Sequence, residues 1–154
     1  MGKRMKSVNR KLAAALAVTM ALLAASAFGQ VYRYYNPGTI WNVAMIQMKA
    51  GMDPAYLQYL DTSFKKEMDG MVKAKLMRSY KILRTLDDVQ NSWNILLLEE
   101  YDSLAAMEAN EEKADVLSRE LMGENDKQAM TGYEDRSKYR TVLGSRTARE
   151  LILK

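Results

Sequence analysis

Two segments of this chain are apolar on both sides when read as β-strands, and they constrain the fold more than any other feature. In residues 40–49, IWNVAMIQMK, one side carries Trp41, Val43 and Met45, and the residues between them are also mostly apolar. Residues 93–101, WNILLLEEY, show the same pattern. Since successive side chains of a strand point to opposite faces, each segment must be covered on both sides. We therefore expect both to be central strands of a sheet.

Each of these strands runs into a helix. After the first, Gly51 breaks the strand, Asp53 is predicted to cap a helix, and Pro54 suits its first position. The inward stripe of this helix is predicted to be Leu57, Leu60, Phe64, Met68 and Met71. After the second strand, Asp102 or Ser103 caps a helix that runs through Leu121, and Gly123 ends it.

Three further segments complete the element order. Residues 79–86 read as a strand with one polar face, residues 126–140 as a short helix, and residues 147–153 as a last strand. The dipeptides Trp41-Asn42 and Trp93-Asn94 each open a strand-to-helix unit, so the chain looks like two related halves. The predicted fold is α+β and ferredoxin-like, β-α-β-β-α-β, with an antiparallel sheet whose first and third strands are central.

The second face of the central strands predicts a homodimer. Both helices of such a fold cover one face of the sheet, which leaves the other face to water. Each large apolar side chain that stays exposed to water lacks roughly 1.5–3 kcal/mol of the favourable free energy of burial. A second copy, packed sheet against sheet, would cover that face and close an eight-stranded dimeric α/β barrel.

The first 29 residues read as a signal peptide. Five basic residues precede an uncharged apolar run at residues 12–27, and small residues follow it. The run is shorter than the ~20 residues of a spanning helix, so no stable membrane anchor is expected after processing. Cleavage after Ala27 or Gly29 fits, and we prefer Gly29, with Gln30 as the new N-terminus. We expect residues 30–39 to form an N-terminal arm with a turn at 36–38 and residues 40–154 to form the domain. A signal peptide also predicts that the protein is secreted, in the periplasm.

Charge and composition exclude several classes of function. Removing the five leader cations from 23 leaves 18 basic residues against 19 acidic ones. No basic field remains to attract nucleic acid. The chain has no Cys and no His, which excludes thiol nucleophiles, the common zinc ligand sets and a Ser-His-Asp triad. No cofactor is expected.

The order, two-sided strands and length of residues 40–153 resemble the dimeric α/β-barrel proteins. These include the antibiotic-biosynthesis-type monooxygenases, and the tail at residues 142–151 is similar to that of small secreted bacterial proteins of unknown role. The resemblance implies a homodimer. Haem-handling members use a His ligand, which this chain lacks.

A set of polar and aromatic residues near the predicted barrel interior forms the candidate ligand-binding cavity. Its members are Trp41, Asn42, Arg78, Tyr80, Arg84, Trp93 and Asn94. Amides in apolar strands need partners, and an aromatic wall with an Arg suits a planar aromatic or anionic small molecule. The alternative interpretation is that Asn42 and Asn94 begin their strands and tie down nearby loops.

Three other patterns have simpler explanations. Ser63-Phe64-Lys65-Lys66 matches S-x-x-K but lies on a Lys-rich helix face. The carboxylates of residues 108–115 favour a solvated face over a cation site, and the methionines favour core packing over Cu(I) binding. The catalytic residues are therefore unassigned, and no metal site is expected.

Two hypotheses about function follow. The first is an exported homodimer with a small-molecule-binding or structural role. The alternative is a cofactor-independent monooxygenase or isomerase acting on an aromatic substrate, in which an Arg stabilises a developing enolate or phenolate.

Overall fold

The computed structural model describes residues 34–87, 89 and 91–154. The predicted signal peptide and residues 30–33 of the predicted arm lie outside the described residues, as do residues 88 and 90 of the loop that follows the second strand. The strands are β1 (Tyr35–Met48), β2 (Ser79–Arg84), β3 (Ile95–Tyr101) and β4 (Arg140–Leu153). The helical elements are α1 (Asp53–Tyr59), a π segment (Leu60–Phe64), α2 (Lys65–Lys73), α3 (Leu104–Met122) and α4 (Asp126–Arg136).

The four strands form one antiparallel sheet in the order β2-β3-β1-β4. In the β1–β3 pair, Ile40 lies opposite Tyr101 and Ile46 opposite Ile95. The two strands that are apolar on both sides are therefore central, and the second and fourth strands are edges, as the sequence predicts. Edge position suits β4 because nearly all of its residues are exposed.

Three strands start at a residue other than the predicted one, and β2 ends at Arg84, two residues before its predicted end. β1 begins at Tyr35, so the predicted turn at 36–38 is wrong and these residues belong to the strand. β4 begins at Arg140, seven residues before the predicted start at Thr147. β3 begins at Ile95, so Trp93 and Asn94 precede the strand. Pairing with neighbouring strands extends β1 and β4 through residues whose own pattern does not indicate a strand.

The first helix starts and packs differently from the prediction. Asp53 is its first residue and not its cap, since the cap position is held by Met52 without a side-chain hydrogen bond. Fully buried Tyr56 replaces Leu57, which is 37% exposed, at the head of the inward stripe. The inward residues of this helix are spaced by four: 56, 60, 64 and 68. In a regular α-helix, each such step rotates the next side chain by about 40° around the helix axis. The wider π segment offsets this rotation and keeps the stripe on one face.

Gly70 does not end this helix, which continues to Lys73. A Cβ atom at position 70 would overlap Cδ1 of Leu121 on α3. Gly70 therefore allows α2 and α3 to approach closely, which explains a glycine in a helix interior.

The caps predicted for α3 are confirmed, whereas the helix predicted over residues 126–140 is shorter and ends at Arg136, because residue 140 already belongs to β4. The Ser103 side chain accepts a hydrogen bond from the backbone N–H of Ala106 at 3.1 Å, and Gly123 adopts φ 67° at the C-terminal end. Leu104, the first residue of α3, is 42% exposed. α4 begins with a reciprocal capping box between Asn125 and Gln128.

Contacts divide the described residues into two units. Residues 39–150 form the larger unit, which contains the helices and most of the sheet. Residues 34–38 and 151–154 belong to the smaller one, where the backbone N–H of Lys154 donates to the Tyr34 carbonyl at 3.2 Å.

Helices cover only one of the two faces of the sheet in the larger unit. One face carries Ile40, Ile46 and Met48 of β1 and Ile95 and Leu97 of β3, all of them buried. The helices cover this face, and the core lies between them. The opposite face, which we call the open face, carries Trp41, Val43 and Met45 of β1, Leu96 and Leu98 of β3, and Leu83 of β2.

Candidate ligand pocket

A pocket of about 290 Å³ lies between the covered face of the sheet and the helices α2 and α3. Four methionines line it, and we call it the Met-lined pocket: Met68, Met71, Met77 and Met107. The remaining lining residues are Asn42, Leu76, Glu99, Tyr101, Glu108, Asn110, Glu111, Ala114 and Asp115. Unbranched thioether side chains adapt to ligands of varied shape, so such a wall suits a small apolar group.

The inner polar end of this pocket is a three-residue network on the sheet. The Glu99 carboxylate accepts a hydrogen bond from Nδ2 of Asn42 at 3.3 Å and from the Tyr101 hydroxyl at 3.1 Å. Burial, then the charge of Glu99 and their hydrogen bond, raise the pKa of Tyr101 well above its usual range. The hydroxyl therefore stays protonated and keeps donating to Glu99, which fixes the carboxylate in the pocket.

The charges around the Met-lined pocket all have the same sign. Glu99 lies at the inner end, and α3 adds Glu108, Glu111 and Asp115. No Lys or Arg is among the lining residues. Glu99 is half-buried, whereas Glu108, Glu111 and Asp115 are exposed and screened by water, so the preference of the pocket for a positive group depends mainly on Glu99.

Of the seven residues predicted for a cavity, only Asn42 lines the Met-lined pocket. Asn94 ties strands together instead: its Oδ1 accepts from the backbone N–H of Met48 at 2.7 Å, and its own N–H donates to the Ile46 carbonyl at 2.9 Å. For Asn94 the loop-tying interpretation therefore describes the contacts.

The other predicted residues do not converge on one place. Trp41 lies on the open face under the Lys81 ammonium group, 5.0 Å from the ring centroid. Arg84 pairs with Asp53 at 3.1 Å, next to the start of the first helix. Trp93 is half-buried in the segment just before β3.

Arg78 and Tyr80 share a shallow surface groove, and both already have partners. Arg78 pairs with Asp102 at 3.1 Å and with Glu100 at 3.4 Å. The Tyr80 hydroxyl donates to Asp69 at 2.8 Å. Their proposed role in ligand binding stays a prediction.

Sequence reasoning missed most of the pocket, above all Glu99 and Tyr101. A signal for them exists in the alternation of β3. Ile95 and Leu97 are buried, and the next two residues on the same face are Glu99 and Tyr101. A carboxylate in register with core side chains points to a polar site on the covered face.

The described part of the chain contains neither a cluster of metal-binding side chains nor a membrane-spanning helix. No group of three or more Asp or Glu side chains in residues 34–154, outside 88 and 90, has a geometry that could hold a metal ion. Within the same residues, none of the helices combines the length and the hydropathy needed to span a membrane.

The strand order, with two β-α-β units and helices on one face, defines the ferredoxin-like fold. No family model matches the chain, and no curated protein matches it. Among solved structures, the chain is similar to a dimeric ferredoxin-like protein from an uncultured marine organism. That protein is 15% identical, the match covers 76% of this chain and 90% of that one, and the TM-score is 0.48. A fold of this kind hosts many functions, so function has to be argued from the site.

Proposed function

We propose that this protein is an exported, homodimeric binder of small organic cations, and that the ligand occupies the Met-lined pocket. The supporting observation is the lining itself: four thioethers and four carboxylates, with no cationic residue. A ligand with an apolar body and a primary or quaternary ammonium group matches both parts of this lining. The sulfurs and the Tyr101 ring contact the body, and Glu99 receives the ammonium group.

The volume of the pocket limits the ligand to a small molecule. A cavity of about 290 Å³ lies at the lower end of the range for ligand sites, roughly 300–1,000 Å³. An amine with a single aromatic ring is of suitable size. We expect such amines to bind with the ring against Met68 and Met71 and the nitrogen toward Glu99.

Benzylamine, benzyl alcohol and benzoate test the charge preference because they share a ring and differ in charge. Isothermal titration with the purified chain should give saturable binding for benzylamine and, at the Met-lined pocket, much weaker binding for the other two, so any binding of benzoate should not change in Glu99→Gln. At 100-fold excess over the dissociation constant, benzylamine should raise the free energy of unfolding by about 2.7 kcal/mol. Equal binding of all three compounds would contradict the cation preference, and binding of none would contradict the pocket assignment.

Glu99→Gln tests which group receives the cation. A glutamine keeps an oxygen that accepts from Asn42 and Tyr101, so the fold is preserved while the charge is lost. We expect at least a tenfold loss of benzylamine affinity. The matched control is Glu112→Gln, which removes a carboxylate from α3 that does not line this pocket. A similar loss in both variants would show that only the net charge matters.

The homodimer is proposed from the open face of the sheet. Trp41, Val43, Leu96 and Leu98 are half-buried there, and Leu83 is 49% exposed. A contiguous apolar surface on two central strands is unusual for a monomer. A second copy presents the same surface, and the near-zero charge expected for the mature chain adds little repulsion between copies.

Leu98→Arg tests the dimer, because it adds a charge at the centre of the open face. Sedimentation velocity of the chain from Gln30 onward should show a dimer that this variant converts to monomer. Val116→Arg is the control, since Val116 is 44% exposed on α3. A monomeric parent chain at high concentration would overturn the proposal.

Export is proposed from the leader alone. N-terminal sequencing of the protein recovered from the periplasm of an expressing bacterium should start at Gln30 or at Phe28. Recovery of an intact chain beginning at Met1 in the cytoplasm would refute it.

A further inference from the structure

A second cavity lies where the start of β4 meets the end of β1 and the C-terminal part of α4. It has a volume of about 340 Å³, and its lining residues are Lys49, Tyr133, Ser137, Arg140, Thr141 and Val142. This lining has two cations and three hydroxyl groups and includes no carboxylate. It shares no residue with the Met-lined pocket and has the opposite charge.

Two arginines stack on tyrosine rings beside this cavity. The guanidinium carbon of Arg136 lies 5.1 Å from the ring centroid of Tyr59 and 5.5 Å from that of Tyr133. The guanidinium carbon of Arg140 lies 5.6 Å from the Tyr56 ring and 5.7 Å from the Tyr133 ring. We call these five residues the arginine–tyrosine corner. These cation–π contacts favour the observed positions of both guanidinium groups before any ligand arrives.

The donors of these arginines are largely unused. Nε of Arg136 is buried and has no hydrogen-bond partner. Arg140 makes one side-chain hydrogen bond, from Nη1 to the Tyr56 hydroxyl at 3.4 Å. A guanidinium group has five N–H donors, so most of those on Arg140 remain open beside the cavity.

The two arginines also lack carboxylate partners. In the described part of the chain, neither forms an ion pair, whereas Arg84 and Arg119 each have a carboxylate oxygen within 3.1 Å. The acidic residue of α4 nearest in sequence, Asp135, is paired with Lys138 at 2.6 Å. Half-buried cations without a counter-charge are unfavourable, and an anion from solution would relieve this.

We propose that the arginine–tyrosine corner is a second binding site, specific for a small oxyanion, either a carboxylate or a phosphate group. Arg140 binds the oxyanion through its open N–H fork, Lys49 supplies a further charge, and the hydroxyls of Ser137 and Thr141 complete the polar lining. Planar two-point contact is the geometry that guanidinium groups offer to such anions. Because the cation–π contacts already favour the observed position of the arginine, less side-chain entropy is lost on binding.

Inorganic phosphate and benzoate are the probes, each titrated against sodium chloride of equal ionic strength. Backbone amide NMR shifts should change in a saturable way around Ser137 and Thr141, with a dissociation constant below about 10 mM for at least one probe. Binding of phosphate alone identifies a phosphate site, and binding of benzoate alone identifies a carboxylate site. Absence of saturable shifts for both anions overturns the proposal.

Arg140→Gln should weaken binding of the active probe at least tenfold. The control is Arg146→Gln, which removes the same charge from an exposed position farther along β4. Because Arg140 also contacts Tyr56, Lys49→Gln provides a second test at a residue that lines the cavity without stacking on a ring. A loss of at least threefold in Lys49→Gln with no loss in Arg146→Gln supports the site. Equal losses in all three variants would show a diffuse charge effect and overturn it.

Discussion

Replacing Asn94 by alanine is the sharpest test of how this fold is held together. Asn94 lies at the point where three strands meet: its side chain accepts from the backbone N–H of Met48, its own N–H donates to Ile46, and its carbonyl accepts from Thr85 at 3.0 Å. Asn94→Ala leaves the two backbone contacts and removes only the side-chain acceptor. The Met48 N–H then has no protein partner at the end of β1.

The expected cost of Asn94→Ala follows from this unsatisfied donor. Met48 is 5% exposed, and an unsatisfied buried donor costs about 1–3 kcal/mol. Asn94 itself is only half-buried, so water can reach part of the site and the lower half of that range applies. We expect a loss of about 1–2 kcal/mol in the free energy of unfolding, which lowers Tm by roughly 3–12 °C for a domain of this size.

Urea unfolding of the chain from Gln30 onward measures this loss as a lower midpoint with an unchanged slope. Asn94→Asp is the matched control, because it keeps an oxygen that can accept from Met48 and should retain most of the stability. A loss below about 0.5 kcal/mol in Asn94→Ala would refute the tethering role. If that variant instead lost ligand affinity at full stability, Asn94 would be a ligand-binding residue, as the sequence-based hypothesis has it.

Three further predictions concern a cap, a helix crossing and a tyrosine. Ser103→Ala should lower the free energy of unfolding by about 1 kcal/mol in a urea titration, because the first turn of α3 loses its side-chain acceptor. Gly70→Ala requires the Leu121 side chain to shift, so adding Leu121→Ala should show a favourable coupling in a double-mutant cycle, since the smaller side chain makes room for the new Cβ. An additive cycle would contradict the close approach. The pKa of Tyr101 is raised on folding, so the folded state keeps a proton that the unfolded state loses above pH 10. Stability is therefore fully present below pH 10 and falls as pH rises further, and Tyr101→Phe should flatten this alkaline decline.

The two candidate sites of the larger unit differ in charge, so we expect one to bind cations and the other to bind anions. The Met-lined pocket is bordered by carboxylates, and the cavity at the arginine–tyrosine corner is bordered by cations. Benzylamine and benzoate therefore serve as reciprocal controls: Glu99→Gln should affect the first and Arg140→Gln the second. Loss of both ligands in either variant would indicate general unfolding and not a local contact.

The local sequence by itself determined the element order, the central and edge strands, and several helix ends. These features depend on side chains close in sequence: alternation along residues 40–49, the Ser103 cap, and the glycine after α3. It did not reveal that Tyr56 replaces Leu57 in the core. That exchange depends on the π segment, which forms where the stripe packs against the sheet.

The candidate sites were decided by tertiary structure alone. Asn42 and Glu99 meet because β1 and β3 pair in one particular register, and a shift of one residue would turn both side chains to the other face. Arg140 reaches Tyr56 across 84 positions of sequence. Periodicity and capping are properties of neighbouring residues, whereas a pocket joins side chains from distant elements, so its composition is known only once the elements have packed.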